Sequence, residues 1–285
     1  MDGILTTSTS GLASAVTTSK FVAYFDVLGY SDYLQDAEDE AGFYSSIRRA
    51  VGLANEINKQ PEGYVTKTFS DNVVITTSED NVESDFERLS HLITFMSFAH
   101  VLMLVDEGLL IRGCIVHDNV LVDNDVVFGR AIVSAHQTER DARFPRTVIH
   151  DSVFDVLSSE EVGVLPLVSI DDDGRRYIDY FRAMDLIPIA VPDGDNRPDR
   201  EILVDVARTR IEGLLAKHGR YPSRTAKSET IIARERIIEK HAWVAYKFND
   251  YCSEVDLESY SIPFEVQFNR RLMKPELRIM NRARQ

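Results

Sequence analysis

The chain has 285 residues, enough for one large domain or one medium domain with an appendage, and either can bury a substantial core. With 44% hydrophobic and 27% charged residues the composition is that of an ordinary globular protein, which excludes collagen-like or wholly disordered chains. A formal charge of −14 argues against a broad electrostatic footprint for nucleic acid or an anionic membrane, so an anionic ligand must be small and locally held.

The first 19 residues are rich in Ser and Thr and lack both a basic and an apolar segment, which predicts a flexible leader and no signal peptide. No run of 18 apolar residues stands out, so no spanning helix is expected. Two distant cysteines, Cys114 and Cys252, form neither a disulfide framework nor a metal spacing, which fits a reducing, cytoplasmic setting.

Phe21 to Val27 reads as a buried strand that delivers Asp26 near its end, followed by Gly29 where the chain must turn. Residues 31–58 read as a helix, with Phe43, Ile47, Val51, Ala54 and Ile57 at three- and four-residue spacing, broken by Pro61-Glu62-Gly63. Tyr64 to Thr77 reads as a hairpin with Ser70-Asp71-Asn72 at its tip. A helix from about Val82 to Asp106, ended by Gly108, leads to the short strand 109–116, then a turn over 117–125 and a strand at Val127-Phe128. A helix from Arg130 to about Asp141 and the strand Thr147-Val148-Ile149 follow. This order is that of a ferredoxin-like α+β palm with a β-α-β-β-α-β core.

Beyond it, Asp171-Asp172-Asp173-Gly174 marks a hairpin between 164–170 and 176–181, and two helices follow at about Glu201 to His218 and Thr225 to Tyr251. The domain reading is a leader at 1–19, a catalytic domain at 20–185, and a helical extension at 186–285 packed on that domain or on a partner subunit. Asp171 to Asp173 reads as a solvated loop, His117 and His136 as ordinary histidines, and Trp243 as part of a helix-packing cluster.

If the first strand lies beside the hairpin, Asp26 and Asp71 face each other. Two carboxylates at one point repel unless a cation lies between them, and hard divalent ions suit all-oxygen ligands. The plainer alternative makes Asp26 a helix cap and Asp71 a turn residue.

The segments Phe25-Asp26-Val27-Leu28-Gly29-Tyr30, Thr68-Phe69-Ser70-Asp71, Ile111-Arg112-Gly113-Cys114-Ile115, Val127-Phe128-Gly129 and Pro145-Arg146-Thr147-Val148-Ile149 resemble, in order, those of class III nucleotidyl cyclases. Their looser forms look most like the bacterial Pycsar cyclases, which make cyclic pyrimidine mononucleotides in anti-phage defence. The resemblance implies a homodimer with active sites at the interface. It implies that Asp26 and Asp71, helped by a backbone carbonyl near Val27, hold two divalent ions (Mn²⁺ or Mg²⁺). It also implies that Leu28, Gly29 and Tyr30 wrap the triphosphate of a pyrimidine nucleoside triphosphate. UTP is favoured on family grounds, giving cyclic UMP for a downstream effector that reads it. Cytidylate cyclisation is the nearest alternative, a non-catalytic nucleotide sensor the next, and a purine cyclase the weakest.

The departures are specific. Counting from Gly129, the places where purine-cyclising relatives keep an Asn and a transition-state Arg are Val133 and Gln137 here. A cation must come from elsewhere, with Arg130 put first and Arg140, Arg143, Arg146, Arg175 and Arg176 as further candidates. Val126 stands where adenine is read by a carboxylate and cannot accept from an amine, which weighs against ATP. Lys67 stands where relatives keep a purine-reading Lys and could reach a pyrimidine carbonyl, and Tyr64 could narrow the pocket against two-ring bases.

Overall fold

A computed structural model describes residues 17–29, 64–69, 72–77, 83–122, 127–188, 197–218, 228–269 and 274–279, together with helical positions between 42 and 52. The expected leader lies outside these residues up to position 16, and its boundary shifts, because β1 (Thr18–Leu28) already includes Thr18 and Ser19. Of the helix expected over 31–58, the described positions are helical and Ile47 is buried; the others, with Tyr30, Asp71 and Val126, lie outside the described residues.

β1, β2 (Tyr64–Phe69), β3 (Asn72–Thr77) and β4 (Leu110–Val122) lie in the order β2-β3-β1-β4. β3 is antiparallel to β2, and β1 is antiparallel to both β3 and β4. That is the ferredoxin-like order expected from the sequence, and the chain is an α+β protein. The short β5 (Val127–Phe128) pairs with the end of β4, and β6 (Thr147–Ile149), β8 (Arg176–Ile178) and β7 (Val168–Ile170) extend the sheet from its other side.

Side chains alternate across a strand, so β1 serves two layers. Phe21, Ala23, Phe25 and Val27 enter the main core with α1 (Asp85–Leu102), while Val22 and Tyr24 enter a smaller core with Ala131 and Ala135 of α2 (Arg130–Asp141). α1 starts with a capping box, in which the Ser84 hydroxyl accepts from the Glu87 N–H and the Glu87 carboxylate accepts from the Ser84 N–H, satisfying two otherwise unpaired donors. It runs on as a π-helical turn, Met103–Glu107, and stops at Gly108. Contrary to the expectation from apolar runs, 85–107 is long and apolar enough to cross a membrane, but it is mostly buried as the core helix of this fold.

After a short helix α3 (Ser159–Gly163), α4 (Asp199–His218) and α5 (Ser228–Glu254) lie against the palm. Leu203, Ala207 and Ile211 of α4 and Trp243, Phe248 and Tyr251 of α5 share one continuous core with α1 and β1. A final hairpin, β9 (Phe264–Asn269) with β10 (Lys274–Ile279), forms a separate two-stranded sheet.

The 171–173 turn is not the solvated loop expected. Asp171 is buried and accepts from Trp243 Nε1 at 2.9 Å and from Lys247 Nζ at 3.0 Å, and it pairs with Arg146, itself fully buried and shared with Asp173. Burial alone would raise the Asp171 carboxyl. Hydrogen bonds from Lys247 and the Asp172 N–H, with the Arg146 charge, outweigh it and hold the group below the usual carboxylate range.

Candidate active site

Parity places Asp26 on the same face of β1 as Val22 and Tyr24, toward α2. Its ladder partners are Asn72 on β3 and Arg112 on β4. Asn72 immediately follows Asp71 in the sequence, and the Tyr24 hydroxyl donates to Asn72 Oδ1, fixing that end of β3. His136 of α2 stands edge-on to Tyr24, with ring centroids 5.9 Å apart. β3 pairs no further than Asn72, so Val27 and Leu28 continue with β4 alone among the described ladder partners. Gly29 then turns with φ +82°, a conformation open to glycine at little cost.

Arg112 joins this face to α2. One guanidinium nitrogen lies 3.4 Å from Asp26 Oδ2, and Nε meets the carboxylate of Glu139, which is 2% exposed. The last two atoms face each other as an ion pair without the alignment of a hydrogen bond. Arg112 can come this close because Gly113 follows it. A Cβ on Gly113 would lie 2.5 Å from the Tyr24 carbonyl oxygen and 2.8 Å from Phe25 Cβ. Neither Arg112 nor Glu139 stood out in the sequence as a site residue. Arg112 lies in the quoted Ile111-Arg112-Gly113 run, but its partner is set by strand register.

Beside this pair is a cleft of about 480 Å³ lined by Arg112, by Arg140 and Arg143 at the end of α2, and by Arg236 and Lys240 of α5. Arg143 reaches Glu239 at 2.5 Å and has φ +49°, an uncommon backbone for a residue with a side chain. Burial pushes the Lys240 ammonium below its ordinary pKa; Arg112 and Arg236 push the same way, while Asp26 and Glu139 oppose.

Several expected assignments change. Arg130 bonds Asp118 at 2.9 Å, and Asp118 pairs with Lys20, six positions along β1 from Asp26. At about 3.3 Å per residue that is roughly 20 Å away, so Arg130 belongs to the other end of the sheet. Arg146 is taken up by Asp171 and Asp173, Arg175 bonds the Asp141 carbonyl at 3.0 Å, and Arg176 lies over the Phe154 ring, which leaves Arg140 and Arg143 of the six at the cleft. Tyr64 is three residues from Lys67 and so points to the opposite face: it stacks on Phe95 of α1 and its hydroxyl donates to the Arg88 carbonyl at 3.3 Å, away from any base pocket beside Asp26. Lys67 pairs with Val74, which pairs with Tyr24, and therefore shares the Asp26 face. Val133 and Gln137 are exposed on α2.

Asp26 is the one expected ligand side chain among the described residues: its carboxylate, one-fifth exposed near the end of β1 and next to backbone that β3 does not pair, is a donor of the kind that hard divalent cations take. Among the described residues no group of three or more His, Cys, Asp or Glu could hold a metal, and Asp71, the other carboxylate expected from the sequence, lies outside them.

No protein-family profile matches the chain, and no curated protein matches it. Solved structures do overlap it. The monomeric guanylyl cyclase domain of the RhoGC fusion protein from the aquatic fungus Blastocladiella emersonii is 14% identical over 57% of this chain and 97% of that one, with a TM-score of 0.42. The adenylyl cyclase CyaB from P. aeruginosa is 17% identical over 64% and 92%, with a TM-score of 0.42. The guanylate cyclase domain of RhGC from Catenaria anguillulae, solved with GTP, is 15% identical over 56% and 93%, with a TM-score of 0.39. Overlaps this distant assign no substrate to this chain.

Proposed function

We propose that this chain is a metal-dependent nucleotidyl cyclase of the class III kind that converts UTP to 3′,5′-cyclic UMP and pyrophosphate, acting as a cytoplasmic homodimer in anti-phage signalling. One juxtaposition supports the chemistry: Asp26, two residues before the end of β1, lies opposite Asn72, the residue after Asp71, on the face that carries Arg112. Asp26 and Asp71, with the Val27 carbonyl, would hold two Mg²⁺ or Mn²⁺ ions, whose chemistry is to acidify the ribose 3′-hydroxyl and neutralise the departing pyrophosphate. The chain's own residues supply the rest. Leu28, Gly29 and Tyr30 would offer backbone donors to the phosphates, Lys67, on the Asp26 face, would meet the base, and Arg112 orients Asp26. Exposed Phe128 and Val133 beside α2 offer apolar surface for a second subunit.

UTP in preference to CTP, the defence role and the downstream effector rest on the resemblance of the motifs. The neutral side chains at Val133 and Gln137 favour a second reading, a cyclase-fold nucleotide sensor without turnover. One experiment separates them. Purified protein is incubated with each of the four nucleoside triphosphates and Mn²⁺, and cyclic monophosphate and pyrophosphate are quantified. Cyclic UMP that vanishes in Asp26→Asn and Asp71→Ala is expected; cyclic CMP would move the substrate, and no product from any of the four would reject the cyclase.

A further inference from the structure

The cleft between α2 and α5 is an anomaly in a chain of charge −14: it gathers five cations, Arg112, Arg140, Arg143, Arg236 and Lys240. Among the described residues, the carboxylates paired with them are Asp26 and Glu139 on Arg112 and Glu239 on Arg143, three against five, an excess of two positive charges there. Arg236 and Lys240 are four residues apart on one face of α5, a like-charge spacing that costs helix stability unless an anion lies between them. A cleft of about 480 Å³ falls in the range of small-ligand sites.

We propose that this cleft binds a polyphosphate chain, and that Arg236 and Lys240 of the C-terminal helix grip the phosphates of a nucleoside triphosphate together with Arg112, Arg140 and Arg143. The nucleotide part rests on the cyclase reading above; the phosphate part rests on the charge and shape of the cleft. In this arrangement α5 delivers in cis the positive charge that Gln137 cannot supply, next to Asp26 where a leaving pyrophosphate would accumulate negative charge. Arginine suits the task, since its planar fork bonds two phosphate oxygens at once.

The test is calorimetric titration of the full chain with sodium tripolyphosphate in EDTA and low salt, so that metal chemistry plays no part. Saturable one-site binding is expected, weakened by about tenfold in Arg236→Ala and in Lys240→Ala and further in the double variant, with Arg200→Ala on α4 as an unaffected control; circular dichroism melts confirm that each variant is folded. UTP should displace the bound tripolyphosphate. Absence of binding, or binding unchanged in the folded double variant, overturns the site. Tripolyphosphate that no nucleoside triphosphate displaces overturns the nucleotide assignment in favour of free inorganic polyphosphate. Binding of the expected pattern in a protein that cyclises nothing supports the site while sinking the cyclase reading, so the two fail separately.

Discussion

Replacing Arg112 with Met is expected to remove the counter-charge of Glu139, whose side chain is 3% exposed, and the neighbour of Asp26 in the same step. Breaking a buried ion pair by deleting one partner costs about 3–5 kcal/mol, because an uncompensated charge is left in a poorly solvated place. Arg112 retains 18% side-chain exposure, through which some water reaches the pair, so the lower end, about 3 kcal/mol, is the expected value. That is about a hundredfold in the unfolding equilibrium, and with an m-value of about 3 kcal/mol/M it moves the urea midpoint down by about 1 M. The decisive comparison adds Glu139→Gln to Arg112→Met. Without the carboxylate there is little left to strand, and the double variant should regain about 2 kcal/mol or more. A single variant within about 1 kcal/mol of wild type, or a double variant no better than the single, would refute the assignment of Arg112 as the group that makes a buried Glu139 tolerable.

Gly113→Ala would drive a Cβ to 2.5 Å from the Tyr24 carbonyl oxygen, main chain that cannot rotate away; a loss of about 3 kcal/mol and a Tm lower by roughly 5–10 °C are expected in a thermal melt, and an unchanged Tm would show that β1 and β4 are not so closely apposed. Tyr64→Phe should cost less than about 1 kcal/mol, the worth of its hydrogen bond to the Arg88 carbonyl, and leave the preference among the four nucleoside triphosphates as it was; an altered preference would contradict its placement on the α1 face. Burial lowers His100 to about 3 and His241 to about 4, so the unfolded chain binds more protons than the folded one below an ordinary histidine pKa of about 6.5. Stability should therefore be complete above about pH 6.5 and decline as pH falls toward 4, with Asp171 adding its own loss below the usual carboxylate range; urea midpoints that stay level from pH 7 to 4.5 would refute this.

Much of the palm was legible because it follows from periodicity. α2 spans Arg130–Asp141 and β6 spans Thr147–Ile149, as their patterns indicate, and the strand order follows from alternating elements. The turn read over 117–125 is instead a continuation of β4 to Val122, since β1 extends back to Thr18 and gives His117, Asp118 and Asn119 ladder partners that local polarity does not reveal. The closing hairpin was missed although Phe264-Glu265-Val266-Gln267-Phe268-Asn269 alternates strictly. At the site, counting by twos separates Tyr64 from Lys67 without coordinates. The choice among arginines could not be read that way: whether Arg130 or Arg112 meets Asp26 depends on register across 86 residues, and the α5 cations reach the cleft only through tertiary packing.

The Arg146 node has a practical consequence for anyone dissecting the protein. Its charges are distributed over the approach to β6, the turn before β8 and two turns of α5, so its electrostatic balance is completed by residues about a hundred positions downstream of Arg146. A chain cut near residue 187 would lose Trp243 and Lys247, leave Asp171 short of two of its donors, and uncover Phe181 where Phe248 and Tyr251 now pack. Truncation at that point should yield aggregating fragments instead of a minimal palm domain, and grafting the C-terminal helices onto another scaffold would require transferring the Arg146, Asp171 and Lys247 trio along with them.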